Sequence, residues 1–192
     1  MQRIDPRQLD TMELKLAETA SELEQSYRIL HDVYMESGIV RPDPRGVRIL
    51  PQFLLPTTWT MIASDRGRVV ATSTLIGDSE LGLPAEDTHP EVMGPLRQRG
   101  ERIMESTGLA CLPAYRDSGL VYVLLGATYE VMRQTGMTKM LMRLSPRAAP
   151  LYQEAFACES LAEARELPGL PGRMYAMLAL DIASGEAAIR RR

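Results

Sequence analysis

The feature that most limits what this chain can become is an acid in the middle of a strand. From Glu101 to Pro113 the residues run Glu-Arg-Ile-Met-Glu-Ser-Thr-Gly-Leu-Ala-Cys-Leu-Pro. Their apolar and β-branched character predicts a strand whose alternation sets Ile103, Glu105 and Thr107 on one face and Met104, Ser106 and Gly108 on the other. A carboxylate there is costly to bury unless it is paired, hydrogen-bonded or facing a wet cleft. A glycine inside a strand, here Gly108, marks a bulge or a close approach of ligand to backbone. A bulge leaves a backbone N–H unpaired, and an acid beside a spare N–H is the minimum equipment for acyl transfer: one removes a proton from the nucleophile, the other stabilises an oxyanion. The residues alone leave a second reading open, a salt bridge from Glu105 to an arginine such as Arg28 or Arg102.

Length and composition bound the alternatives. A chain of 192 residues is expected to form a single domain, 1–192, burying roughly 70% of its unfolded surface. A net charge of −3 gives no reason to expect nucleic acid. Two cysteines, Cys111 and Cys158, and two histidines, His31 and His89, make neither a usual structural zinc site nor a disulfide framework, so no metal is expected and a reducing cytoplasm suits the chain. No run approaches the ~18 apolar residues that a transmembrane helix needs, and the N-terminus carries no apolar signal core. Twelve methionines against two phenylalanines suit either an ordinary core or a surface that adapts to a flexible apolar partner.

Along the chain, Met12 to Ala17 alternates as a first strand. Ser21 with Glu24 forms a capping-box signature for a helix from Glu22 to Ser37 that Gly38 ends. On it Leu23, Tyr27, Leu30 and Tyr34 share one stripe, while Glu24, Arg28 and His31 share another; Arg28 is placed either to pair with Glu24 or to reach a substrate or strand acid, and His31 is expected to be exposed or capping. The stretch from Arg41 to Pro56 is irregular, with turn chemistry at Asp43-Pro44-Arg45-Gly46 and a flap-like Phe53-Leu54-Leu55. Strands at Trp59–Ser64 and Val69–Ile76 flank a hairpin turn at Asp65-Arg66-Gly67-Arg68, with Trp59 expected in the core. After the loop Asp78–Pro84 come a short helix at Pro90–Arg99 and the strand described above. A strongly apolar, buried helix is predicted at Ser118–Thr135, a strand at Met137–Leu144, a helix from Ser145-Pro146-Arg147 through Phe156, and a last strand at Met174–Ile182 after Pro168-Gly169-Leu170-Pro171-Gly172. Residues 183–192 are expected to be a flexible tail. This order predicts an α/β or α+β fold, a mixed central sheet of six to seven strands with helices on both faces.

The element order, with an acid on the central strand and a buried helix after it, resembles the GNAT-like acyltransferase fold. Four local sequences narrow the resemblance: Tyr27-Arg28-Ile29-Leu30-His31-Asp32-Val33-Tyr34, Val70-Ala71-Thr72 leading to Leu75-Ile76, Asp78 through Glu86, and Glu105-Ser106-Thr107-Gly108-Leu109-Ala110. Over roughly residues 22–160 these look like the N-acyl amino acid synthases, relatives of the acyl-homoserine lactone synthases. The resemblance places Arg28 on the first helix and the pair Glu105-Ser106 on the central strand at the amine and acyl sites, with Glu105 and Ser106 catalytic; Tyr34 and Gly108 are further substrate-binding candidates. Gly108 stands where the lactone synthases have an arginine, which favours a plain amino acid over S-adenosylmethionine. Coenzyme A-using GNAT enzymes carry a Gln/Arg-x-x-Gly-x-Gly/Ala turn whose N–H groups bind pyrophosphate. Leu112 to Gly119 lacks that spacing, so acyl carrier protein, presenting an acyl-phosphopantetheine thioester, is the expected donor. No cofactor is expected to be permanently bound.

The mechanism this implies is attack of an amino acid's α-amine on the thioester, with Glu105 removing a proton, the N–H near Gly108 and Ser106 supporting the oxyanion, and Arg28 or Arg147 pairing with the amino acid carboxylate. Met104, Met140 and Met142 would line the acyl tail, and Arg97, Arg99, Arg102 and Arg116 would contribute to a surface for an acidic carrier. Three other readings stay open: a covalent route through Cys111, a coenzyme A-dependent N-acyltransferase acting on another amine, and a non-catalytic acyl-binding protein of the same fold.

Overall fold

The computed structural model describes residues 12–182, 184 and 185. The expected tail, 183–192, lies almost wholly outside them. Seven strands form one mixed sheet in the order β1-β2-β3-β4-β5-β7-β6. They are β1 (Met12–Leu16), β2 (Thr58–Asp65), β3 (Arg68–Gly77), β4 (Ile103–Cys111), β5 (Lys139–Leu144), β6 (Glu159–Leu167) and β7 (Leu170–Asp181). The helices are α1 (Ala20–Glu36), α2 (Pro90–Gln98), α3 (Leu120–Gln134) and α4 (Ala149–Phe156). Contacts among the described residues gather into two compact units, 12–75 with 108–131 and 76–107 with 132–182.

In the first unit β1 pairs antiparallel with β2, from Met12 opposite Asp65 to Leu16 opposite Met61. The β2–β3 connection is a two-residue turn in which Arg66 and Gly67 both have positive φ, 50° and 78°, the type I′ geometry that matches strand twist. Helix α1 begins two residues before the position the Ser21 signature predicts. Thr19 is the cap: its side chain accepts the Glu22 N–H at 3.2 Å, while Glu22 Oε2 accepts the N–H groups of Glu18 and Thr19 at 2.9 and 3.0 Å. Lys15 Nζ lies 2.9 Å from the other Glu22 oxygen, a partner the Ser21–Glu24 alternative does not have. At its far end the Gly38 and Ile39 N–H groups close on the Met35 and Tyr34 carbonyls, the paired bonds of a Schellman stop. The helix buries Tyr27, Ile29 and Leu30, and also His31. Helix α3 is not buried all round as its composition suggests. Leu120, Leu124, Thr128 and Val131 form one buried stripe and Tyr122 points outward, 61% exposed.

In the second unit β4 pairs parallel with β5, Ile103 to Ser106 facing Lys139 to Met142. Strand β5 then pairs antiparallel with β7, from Lys139 opposite Asp181 to Leu144 opposite Ala176. Strand β6 has no counterpart in the sequence reading, because Glu-Ser-Leu-Ala-Glu-Ala-Arg-Glu-Leu is built mostly of helix formers. It forms a hairpin with β7. His89, fully buried, reaches the Glu163 carbonyl through Nε2 at 3.0 Å, and Arg165 meets Glu91 at 2.8 Å and the Thr88 carbonyl at 3.2 Å. Partners on the start of α2 thus hold the segment extended, and strand pairing overrides local preference. Helix α4 starts at Ala149 rather than Ser145, so Arg147 falls in the preceding turn.

The capping box has a measurable consequence. The Glu18 N–H, Lys15 and the Thr19 N–H pull the Glu22 carboxyl from its ordinary 4.5 to about 2. A carboxyl lowered on folding stabilises the fold above its unfolded pKa, and that contribution is lost as pH falls through the folded value. Thermal unfolding of Glu22→Gln should therefore fall less steeply than wild type between pH 4.5 and about 2, and Thr19→Ala should lose about 1 kcal/mol at neutral pH. Parallel pH curves for wild type and Glu22→Gln would discount the cap.

Candidate active site

Glu105 is completely buried. Its Oε1 accepts a hydrogen bond from Arg143 Nε at 3.0 Å and lies 3.0 Å from Arg143 Nη2 as an ion pair, and its Oε2 accepts the Ala85 N–H at 2.6 Å. The cation on this acid is therefore Arg143, not Arg28 or Arg102. The register explains why: Glu105 lies opposite Leu141, and two residues further along β5 brings Arg143 to the same face. Burial pushes the Glu105 carboxyl above its ordinary range, while Arg143 and the Ala85 N–H pull the other way.

The Ala85 N–H belongs to a 3₁₀ turn, Pro84–Asp87, in the loop whose sequence carried much of the family resemblance. The loop is stapled at several points. Arg97 of α2 donates to both Asp78 and Glu86, with contacts of 2.7 Å to each; Glu86 accepts the Leu83 N–H at 2.9 Å; and the Asp78 N–H bonds to the Ile103 carbonyl at 2.9 Å. Arg97 is thus engaged within the fold. So is Arg116, which contacts Glu36 at 2.6 Å.

Met104 faces Met140 and Ser106 faces Met142 across β4 and β5. All three methionines are at most 5% exposed. Because successive strand residues point to opposite faces, Ser106 shares the methionine face and Glu105 the Arg143 face. Gly108 adopts φ 62°, unusual within a strand. A Cβ there would stand 3.3 Å from Thr74 Oγ1 and 3.4 Å from Leu30 Cδ2, so both backbone conformation and space call for glycine.

On α1, Arg28 pairs with Glu24 at 2.6 Å and reaches the Arg45 carbonyl at 3.4 Å. The Arg48 guanidinium lies 5.6 Å from the centre of the Tyr34 ring. His31 is buried, contrary to the exposed position expected; its Nε2 accepts the Asp43 N–H at 3.2 Å and its Nδ1 donates to Asp32 at 2.9 Å. With the Arg48 N–H on the Tyr27 carbonyl at 3.0 Å, these contacts seat the turn at 43–48 on α1. Arg147 is exposed. Cys111 is buried and burial raises its thiol pKa, which disfavours the thiolate that a covalent route requires. Among the described residues no group of three or more His, Cys, Asp or Glu side chains is placed to hold a metal ion, and no helix is long and apolar enough to cross a membrane.

Two residues were missed by sequence reasoning. Arg143 carries no sequence mark beyond its place in a strand; only the register, with Leu141 opposite Glu105 and Arg143 two residues on, singles it out. Ala85 contributes through its backbone, which no residue type advertises.

Gly108→Ala should lower stability by about 1–3 kcal/mol, from a left-handed backbone and crowding at Thr74 and Leu30, seen as a lower denaturant midpoint. An unchanged midpoint would mean that the strand relaxes at this position.

The fold has solved counterparts. FeeM, an N-acyl amino acid synthase from uncultured soil microbes, superposes with a TM-score of 0.80 at 14% identity, covering 92% of this chain and 94% of that one. BjaI, a coenzyme A-dependent acyl-homoserine lactone synthase, gives 0.70 at 19% identity over 90% and 82%. The lactone synthase LasI gives 0.71 at 13% over 92% and 93%. Acetyltransferases of the GNAT type are further neighbours, so the fold is GNAT-like. None of the curated proteins matches the chain. The sequence model of the N-acyl amino acid synthase FeeM matches residues 25–181, a span that contains the Glu105–Arg143 pair and the loop it holds, and on that match the chain belongs to the FeeM N-acyl amino acid synthase family and is an N-acyltransferase.

Proposed function

We propose that this enzyme transfers a fatty acyl group from an acyl carrier protein thioester to the α-amine of an amino acid, with Glu105 as the base. The carrying observation is the buried Glu105 carboxylate on β4, held by Arg143 and by the loop that the family match includes. An amino acid's amine is mostly protonated at neutral pH, with pKa about 8, and must lose a proton before or during attack. The proton passes to Glu105, directly or through water; the nitrogen bonds the thioester carbon; the tetrahedral intermediate collapses with loss of the phosphopantetheine thiol. The backbone at Gly108 is assigned to the oxyanion; the Ser106 hydroxyl, on the methionine face of β4, is assigned to the acyl side of the thioester.

Arg28 is assigned to the amino acid carboxylate, with Tyr34 beside it on α1 and Arg147 as a second cation. The Arg28–Glu24 pair is half exposed on both sides, and such pairs are worth only about 0–1 kcal/mol, so an incoming carboxylate can displace Glu24. Met104, Met140 and Met142 are assigned to the acyl tail, since unbranched thioether side chains repack around a flexible chain at low cost.

The carrier-protein donor is supported by the start of α3. Pro113–Ser118 forms a 3₁₀ turn, and the Ser118 hydroxyl takes the Leu120 N–H at 3.3 Å. That N–H is one of those a coenzyme A pyrophosphate would need. BjaI, a coenzyme A-dependent synthase, keeps acyl-coenzyme A as the rival donor. Purified enzyme with one amino acid and the same acyl group on each donor separates them: turnover with the carrier protein at least tenfold above that with coenzyme A is expected, and the reverse ranking removes the carrier protein.

The base is tested by its pH dependence. Because Arg143 lowers the Glu105 pKa, Arg143→Gln should shift the acidic limb of the kcat/KM profile to higher pH. An unmoved limb would remove Glu105 as base. Glu105→Gln should lower turnover by at least about 100-fold and also cost about 3–5 kcal/mol of stability, since it strands a mostly buried guanidinium. Lipid extracts of bacteria expressing wild type should contain N-acyl amino acids that the Glu105→Gln strain lacks.

A further inference from the structure

Arg97 of α2 makes four hydrogen bonds for which the catalytic assignment has no use. Its Nε and Nη2 donate to the two oxygens of Asp78 at 2.8 and 2.7 Å, while Nη1 and Nη2 donate to the two oxygens of Glu86 at 3.1 and 2.7 Å. A planar guanidinium that grips two carboxylates, each through both oxygens, fixes their separation and orientation in a way that single contacts do not. Asp78 opens the loop after β3, and its own N–H is bonded to the Ile103 carbonyl at 2.9 Å. Glu86 lies in the 3₁₀ turn Pro84–Asp87 near the end of that loop. Arg97 thus ties the start of the loop to the turn.

The turn carries the N–H that meets the acid. Glu86 Oε1 folds back to accept the Leu83 N–H at 2.9 Å. A Cβ on Gly82 would stand 2.6 Å from the same oxygen, so glycine, here with φ 66°, leaves the carboxylate its place. With Leu83 and Glu86 both held, the Ala85 N–H between them is kept toward Glu105 Oε2, 2.6 Å away. The Ala85 carbonyl is fastened separately, by the His89 N–H at 2.9 Å and the Thr88 hydroxyl at 3.1 Å, so the brace from Arg97 acts on the N–H side.

We propose that Arg97 is a positioning residue for the N-acyltransfer reaction: through Asp78 and Glu86 it holds the Ala85 N–H on Glu105, and so sets the pH range over which that carboxylate is free to take a proton. The use of Glu105 as a base rests on the reading above; the brace does not. Burial raises the Glu105 carboxyl, Arg143 from β5 and the Ala85 N–H lower it, and Asp87, exposed on the same turn, raises it again. Loss of the Ala85 N–H therefore moves the acid upward. Glu86, held below its ordinary range by Arg97, stays charged while Glu105 titrates. The Arg97 side chain is 40% exposed and its two partners also reach solvent, so its removal strands no fully buried charge.

The Ala85 amide reads the brace directly. Pro-Ala occurs twice in the sequence, at 84–85 and 113–114, so isotope labelling of proline carbonyls and alanine nitrogens leaves two coupled amide signals in the NMR spectrum. Ala114 is exposed and Ala85 buried, and solvent exchange tells them apart. In wild type the Ala85 signal should titrate with Glu105. In Arg97→Gln the midpoint should rise by about one pH unit, the size of one charge-assisted hydrogen bond, and the amide should exchange faster. Arg97→Lys, which keeps the charge without the fork, should recover part of the shift. The acidic limb of kcat/KM should move by the same amount, whereas an enzyme that is merely destabilised loses activity at every pH with its limb unmoved. Glu86→Gln, which frees one arm of the brace, should shift both readouts in the same direction and serves as the test if Arg97→Gln does not fold. An unchanged Ala85 midpoint would overturn the positioning role and leave Glu105 as the base. A midpoint that rises while the limb stays would keep the brace and remove Glu105 as the base.

Discussion

A carboxylate at zero exposure is the constraint around which the second unit is arranged. Moving Glu105 out of water is tolerable only because two hydrogen bonds, from Arg143 Nε and the Ala85 N–H, and the charge of the Arg143 guanidinium meet it, and that requirement reaches far along the chain. It needs β5 in the register that puts Leu141 opposite Glu105. It also needs the 78–87 loop folded so that a backbone N–H points at the strand, which in turn explains the Arg97 contacts to Asp78 and Glu86. Buried ion pairs contribute little net stability and act mainly by penalising arrangements that leave one partner alone. Here that penalty selects a single loop conformation and a single register.

The first unit uses a different device. The irregular segment after α1 is held by contacts to consecutive turns of that helix: the Tyr27 carbonyl, the Arg28 guanidinium, the His31 ring and the Tyr34 face. Of these the His31 contact is the best shielded, since its ring is buried. The Arg28 contacts are on the surface, where solvent competes and partners exchange readily. The same segment is thus fastened at one point and free to adjust at another, a sensible arrangement beside a residue assigned to a substrate's carboxylate.

Much of the fold was legible because it is local. The β2–β3 hairpin follows from Arg66-Gly67, α2 from proline at its first position, and β4 from alternation around Glu105. What failed did so where two local signals competed or where local signal was weak. Thr19 and Ser21 are both plausible caps, and Lys15 on β1 favours the first. The β6 sequence is written in helix formers, and only the hairpin with β7 and the partners on α2 make it a strand. His31 is expected at the surface and is buried, because a lone histidine carries no mark of what its nitrogens will meet. The apolar composition of the helix predicted at Ser118–Thr135 does not reveal that Tyr122 lies on the open side.

By itself the sequence determined the acid in the central strand, the glycine three residues on and the methionine-rich strand, because these depend on residue type at short spacing; the reaction class came with the family resemblance. Only the tertiary structure decided that Arg143 is the partner of Glu105, that Ala85 lends it an N–H, and that Ser106 turns to the methionine face. Those facts depend on strand register and loop closure, which bring together residues tens of positions apart, and a chain read in one dimension carries no record of distance across a sheet.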